Sequence, residues 1–451
     1  MAARRRRRRV VRPLWTEAHV RRVFWRAGFG ATQAEARRWA ARGQAATLKW
    51  ILDGRPGPQL RGPAPSVDGK PLDPANEYGH DVLWWLDRMV RSQRPLVEKL
   101  TLFWHDHFAT ADQDTPLMLA QNQKLRRGAL GSFRSLLREI TRDPAMQLFL
   151  SLADSDKRAP NENYARELME LFTLGSGYGE RDVREAARAL TGWESRWAHD
   201  QFRGIRFNAE AHDAGVKRIF GRRGRFGTDD VLDLVVAHRR HAPFLVTKLW
   251  SFFVTEPPRR STVRALAALY RRSGLRIKPV VGAILAHPAL YRSLEAPDMV
   301  KAPIVLVAGA LRAAGQGIRT DDWTWLLSNM GQTLFQPPSV AGWDWGPAWM
   351  SSNSMRARFD FANVMLDQPG LKVPDDSGDA ALASADQLGR ASDAAGGPWV
   401  APDTRAALIS LADGAYRDLR ASNVEGRRTR ATLLQRSLRH LMLSGPDAQL
   451  H

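Results

Sequence analysis

Apolar residues recur every three or four positions along most of the chain, the spacing that gathers them on one face of an α-helix. Thr16 opens such a stretch, which runs to Ala27 and closes at Gly28. Thr32 to Glu35 has the form of a capping box: the threonine hydroxyl can accept from the backbone three residues on while the glutamate reaches back. The helix it starts should stop at Gly43, with a short further helix to Asp53. After a Pro/Gly-rich connection over 54–74, residues 76–109 read as one long amphipathic helix, or as two broken at Pro95. Helical spacing continues over 122–141, 144–152, 161–174 and 182–191. It resumes with Thr228 as the cap of 229–237, and then over 243–254, 262–273, 279–286 and 300–314. Alternation of apolar and polar residues, the mark of a half-buried strand, is confined to Ile205–Phe207 and Val216–Phe220.

These patterns predict a mainly α fold: a single large multi-helix domain with Trp-, Gly- and Pro-rich loops and at most a few short strands. Composition divides the chain further. Residues 1–14 form a basic arm expected to be disordered, and 15–366 the main helical domain. Residues 367–404, rich in Gly, Ala, Ser and Asp, read as a flexible insertion. Helices over 405–451 should dock back onto the main body.

Of the 451 residues, 44% are hydrophobic and 25% charged, an ordinary globular balance. None is cysteine, which excludes disulfides, Cys-ligated zinc, iron–sulfur clusters and thiol catalysis. No apolar run approaches the ~20 residues that a membrane span needs, so no transmembrane segment is expected. Nor does an apolar stretch follow Arg9 as a secretory signal would require. The expected compartment is the cytoplasm, with export left open.

The net charge of +20 invites a nucleic-acid reading. Residues 1–60 hold 15 Lys or Arg against 3 Asp or Glu, however, and six of those fifteen are the run Arg4 to Arg9. The remaining chain is only mildly basic. Arginine outnumbers lysine 57 to 10, a usage that fits a GC-rich genome as well as it fits phosphate binding. No motif that reads RNA or DNA follows the basic start, so a nucleic-acid partner is not expected.

Four segments could carry chemistry. His105 and His107 have metal-ligand spacing on an extended backbone, but residues two apart on a helix diverge by ~200°. On the segment opened by Asn161 and Asn163, Glu162, Arg166 and Glu170 fall at helical i, i+4 and i+8, with Glu167 on a neighbouring stripe. Both asparagines are poor helix formers, which suggests specific hydrogen bonds at the helix start. His212, Asp213, Gly215 and Lys217 form a turn that could supply a ligand or a base. Finally, Pro337, Pro338, Trp343, Trp345 and Trp349 make a rigid aromatic loop that could stack on a ligand or cap the core.

Taken in order, Arg26–Gly30, Glu98–Phe108, Asn161–Gly175, Glu180–Val183 with Ala189–Trp193, His212–Lys217 and Pro337–Trp343 make a recognisable series. It resembles a widespread bacterial family known as domain of unknown function 1800. The resemblance spans roughly 15–366 and resumes at Leu441–Ser444. It implies a single mainly helical domain and no stated reaction. It also implies a partner, a phosphatase- or sulfatase-like uncharacterised protein encoded nearby. Three positions depart from the family's habit: Asp106 and Ser339, commonly Asn, and Gly179, commonly Thr. Many relatives are exported.

Three classes of function follow. The first is a helical scaffold or assembly factor for a partner protein, with the Trp-rich loop and the Asn161–Glu170 helix as its interface. The alternative is an enzyme, such as a metal-dependent hydrolase. Its catalytic candidates are Glu162, Arg166, Glu167, His212, Asp213 and Lys217, and a divalent cation could be held by His105, His107 and Glu167. No nucleophile elbow, HExxH, phosphate loop or dinucleotide fingerprint supports the enzyme. Binding of nucleic acid through the basic N-terminus is the third class.

Overall fold

Helices carry the fold. The structure, a computed structural model, describes residues 15–54, 59–111, 114–199, 201–368, 371, 373, 382–419 and 424–451. Among them are nineteen α-helices and three two-stranded antiparallel sheets, a mainly α architecture. The basic arm over 1–14 lies outside the described residues. No described helix is long and apolar enough to cross a membrane.

Local signals act where the sequence places them. Thr32 Oγ1 accepts from the Glu35 amide at 3.2 Å and Glu35 Oε2 from the Thr32 amide at 3.0 Å, closing the capping box of the helix Gln33–Asp53. That helix continues through a kink at Gly43, whose φ of 78° interrupts but does not end it. Pro95 begins a new helix, Pro95–His107, after His80–Arg91 ends. Its missing N–H costs nothing there, because the first-turn amides lack intrahelical partners.

Other elements differ from the pattern. The stretch 122–141 is two helices, Thr115–Gly128 and Phe133–Thr141. The cap of the helix Thr228–Ala237 is Gly227; the Thr228 hydroxyl instead accepts from the Trp193 indole at 3.1 Å. Asn163–Glu167 is a short α-helix that widens into π-helical turns over Leu168–Leu174. The two short strands each acquire a partner: Trp193–Ala198 pairs with Gln201–Phe207, and Lys217–Ile219 with Arg222–Gly224. Within the expected flexible insertion, Ser384–Ala394 is a helix whose Leu388 and Ala391 are buried. It packs against Pro402–Leu419 and Val424–Ser444, so this part of 367–404 belongs to the core; residues 369–370, 372 and 374–381 lie outside the described residues.

Apolar side chains gather in two clusters. One joins Val20, Leu100, Phe133, Phe172, Val231, Leu249 and Ile284; the other joins Leu83, Val305, Leu326, Phe361, Leu388 and Leu438. The helix Pro95–His107 feeds both, through Phe103 and Trp104 on one side and Leu102 on the other. Its remaining face borders a cleft.

Candidate functional site

His105 and His107 leave this helix in different directions, as their spacing requires. His105 enters the second cluster, edge-on to Trp85 at 5.3 Å, and its Nε2 accepts from the Phe335 amide at 3.2 Å. Burial lowers its pKa to about 3. His107 enters the first cluster, where its Nε2–H donates to the Phe172 carbonyl at 3.0 Å; burial, then the Lys248 charge, hold its pKa well below the usual value. Both are neutral packing residues. The structure does not bring the expected set of His105, His107 and Glu167 together. Among the described residues no group of three or more His, Asp or Glu could hold a metal ion.

The catalytic candidates separate into two fastenings on one helix, Glu180–Leu190. Near its start, Arg166 donates to Glu162 at 3.1 Å and twice to Glu180 at 2.8 Å on the surface. Glu167 is half-buried beside them, and burial, then Glu170, raise its pKa. Near the helix end, Arg188 Nε donates to Asp213 Oδ2 at 2.7 Å. Asp213 also accepts from the Gly215 amide at 2.8 Å, and His212 Nδ1–H donates to the Thr191 carbonyl at 2.9 Å. Lys217 is fully buried, donating to the Phe226 carbonyl at 2.9 Å and to the Asp213 carbonyl. Glu180 and Arg188 stand eight residues apart, about 12 Å along the axis. The polar residues after Leu190 tie a hairpin to the helix.

A different set converges. Lys99, Phe103 and Asp106 occupy i, i+4 and i+7 of Pro95–His107 and face Thr247, Lys248, Ser251 and Phe252 of the helix His241–Phe253. Between them lies a cleft of about 530 Å³, bounded also by Asp298, Met299 and Trp345. Its volume suits a small organic molecule.

Asp106 Oδ1 accepts from the Trp343 amide at 2.9 Å and Oδ2 from the Trp345 indole at 3.0 Å. Burial nevertheless raises its pKa to about 6. Asp298 is neutralised by Arg26, at 2.5 Å, and by Arg22. Arg26, 1% exposed, also donates to the Phe253 carbonyl at 2.9 Å. The two lysines have no such compensation. Lys99 is 3% exposed and lies over the Phe29 and Phe252 rings at 5.4 and 5.7 Å, with no hydrogen bond or ion pair to its ammonium among the described residues. Burial, then the charge of Arg26, lower its pKa to about 7. Lys248 lies over Phe244 at 5.7 Å, also without a hydrogen bond or ion pair among the described residues; burial lowers its pKa and Asp106 opposes that fall.

Reasoning from the sequence singled out Asp106 and Trp345 but passed over Lys99, Lys248 and Asp298. A lysine in each of two strongly apolar helical segments was the available signal.

The matched family is described as a protein of unknown function (DUF1800), and its match covers residues 22–450. Comparison with curated proteins and with solved structures gave no match.

Proposed function

The chain belongs to the DUF1800 family, and from that premise, which carries no activity with it, we propose that it acts through the lysine-lined cleft, binding a small organic anion with an apolar body. One observation carries the reading. Both carboxylates at the cleft already have hydrogen-bond partners, whereas the ammonium groups of the buried Lys99 and the half-buried Lys248 make no hydrogen bond or ion pair among the described residues. Unpaired buried charge is costly, and a carboxylate or phosphate entering the cleft would relieve that cost. Phe103, Phe252, Met299 and Trp345 would enclose the apolar part. Three of the segments that carry the family resemblance meet here, through Arg26, Asp106 and Trp343.

The test is a titration with 4-methylbenzoate, followed by calorimetry and ligand-observed NMR. Binding is expected, with affinity falling at least tenfold in Lys248→Met and declining with salt. Equal affinity in the variant, or no binding, would defeat the proposal.

A scaffold role is a second reading, favoured by a separate place. Tyr78, 96% exposed, and Trp325 border one groove, an aromatic pair with the character of an interface anchor. The phosphatase- or sulfatase-like protein encoded nearby is the partner to mix with it. Undiminished association in Tyr78→Ala with Trp325→Ala, or none with the wild type, would remove this reading.

A further inference from the structure

We propose that Lys99 is a nucleophilic amine that condenses with the carbonyl group of an anionic aldehyde or ketone held in the cleft, forming an imine. The inference rests on the reading of the cleft as an anion site and names the class of molecule it takes.

Among the described residues Lys99, Lys217 and Lys301 are buried, and their surroundings distinguish them. Lys217 spends its ammonium on the carbonyls of Asp213 and Phe226. Lys301 donates to the Ala448 carbonyl at 2.6 Å and lies over the Trp25 ring at 4.2 Å. Both nitrogens are turned to those carbonyls, and neither lysine lines the cleft. Burial and then the Arg358 charge lower the Lys301 pKa to about 7 as well, so it is placement at the cleft that sets Lys99 apart. Lys99 holds no carbonyl among the described residues. Around it stand two phenyl faces, the cation of Arg26, the buried His451 and the open cleft. An amine placed in apolar surroundings next to another cation sheds its proton, the general route to a nucleophilic lysine. Titration at about 7 leaves about half of the Lys99 side chains neutral at neutral pH, against on the order of one in a thousand for an ordinary lysine.

The chemistry needs no further reagent. The neutral nitrogen attacks the carbonyl carbon; the C–N bond forms and the π electron pair moves to oxygen, which takes up the proton lost by nitrogen. The carbinolamine then breaks its C–O bond, the hydroxyl leaves as water with the second nitrogen proton, and C=N remains. Amine and carbonyl become imine and water. Lys248, on the facing helix and with Asp106 opposing the fall of its pKa, would hold the anionic end of the molecule. Asp106 stands seven residues beyond Lys99, about 10 Å along the axis, so the two ends of the cleft are chemically distinct.

The test treats the intact wild-type chain with 4-formylbenzoate and cyanoborohydride, which reduces an imine irreversibly to a secondary amine, and maps adducts over its ten lysines. Lys99 should be labelled at least tenfold faster than any other lysine at pH 7, with a rate that levels off just above pH 7. Lys248→Met should slow labelling by 4-formylbenzoate but not by uncharged benzaldehyde. Labelling spread evenly over the lysines, or an unmodified Lys99, overturns the proposal. If 4-methylbenzoate, which has no carbonyl, still binds in a Lys248-dependent way, the cleft reading survives that failure; if it does not bind, both are lost. Rapid labelling of Lys99 by both aldehydes at one rate, whatever stands at 248, overturns the anionic class of substrate.

Discussion

The indole of Trp345 donates to Asp106 Oδ2 at 3.0 Å, and the preceding turn donates the Trp343 amide to the other oxygen, so one carboxylate pins the tryptophan loop to the helix Pro95–His107. Two neutral donors do not replace the water this carboxylate has lost, and its pKa rises to about 6.

A carboxyl whose folded pKa exceeds its unfolded value holds its proton more tightly when folded. The stabilisation is complete below the unfolded value near 4 and is lost as pH rises through about 6. For a shift of about two units the loss is up to ~3 kcal/mol. Asp106→Asn keeps a neutral group at all pH values and matches the residue common in the family. Its urea-unfolding free energy, relative to wild type, should therefore improve by roughly 1–3 kcal/mol between pH 4 and pH 7. A constant difference across that range would contradict this account of Asp106.

His105 has the opposite sign. Its folded pKa, lowered to about 3 by burial, lies below the unfolded value of about 6.5. Its neutral form is thus favoured by folding, and stability is lost as pH falls from about 6.5 toward 3. His105→Phe removes that proton uptake but leaves the buried Phe335 amide without its acceptor, a loss of about 1–3 kcal/mol. The variant should be the less stable protein at pH 7, and its deficit should shrink or vanish by pH 4.5. A deficit that stays the same at both pH values would show that His105 is not the titrating group.

Helices were legible because their signals are local: the Thr32–Glu35 box and the Pro95 break both act within a few residues. The π-helical turns over Leu168–Leu174 were not, since apolar spacing there does not distinguish five-residue from four-residue bonding. The strand partners Trp193–Ala198 and Arg222–Gly224 hid behind charge, with pairing supplied by the neighbouring strand rather than by alternation. The cleft was hidden for a related reason. Density of polar residues drew attention to His212, Asp213 and Lys217, and that density fastens a hairpin. The cleft instead takes Lys99, Lys248, Asp298 and Trp345 from four distant segments. Spacing along a chain carries no sign of such convergence.

Lys217 provides the contrast. Its side chain is fully buried, and replacing it by methionine keeps much of the volume while leaving the Asp213 and Phe226 carbonyls without their donor. Unfolding free energy should fall by at least ~1 kcal/mol. Binding of 4-methylbenzoate should be unchanged, because the lysine belongs to the hairpin fastening and not to the cleft. A selective loss of binding at full stability would return Lys217 to the functional residues.

Gly342 tests whether the tryptophan loop shapes the cleft. Its φ of 86° is a left-handed conformation, and a Cβ there would strike Asp106, meeting the carboxylate and, at 2.7 Å, the backbone carbonyl. The buried helix cannot retreat, so in Gly342→Ala the loop must move and carry the Trp343 amide and the Trp345 indole off the carboxylate. Gly331→Ala isolates the conformational part: its φ is 90°, but the added Cβ would meet only Trp349, at 3.7 Å. Backbone strain alone costs about 1–2 kcal/mol. Both variants should lose stability by that amount, and Gly342→Ala by a further ~1–3 kcal/mol from the displaced contacts. Only Gly342→Ala should also weaken 4-methylbenzoate binding, because Trp345 is a wall of the cleft. Equal binding in the two variants would mean that the loop packs against the helix without shaping the site.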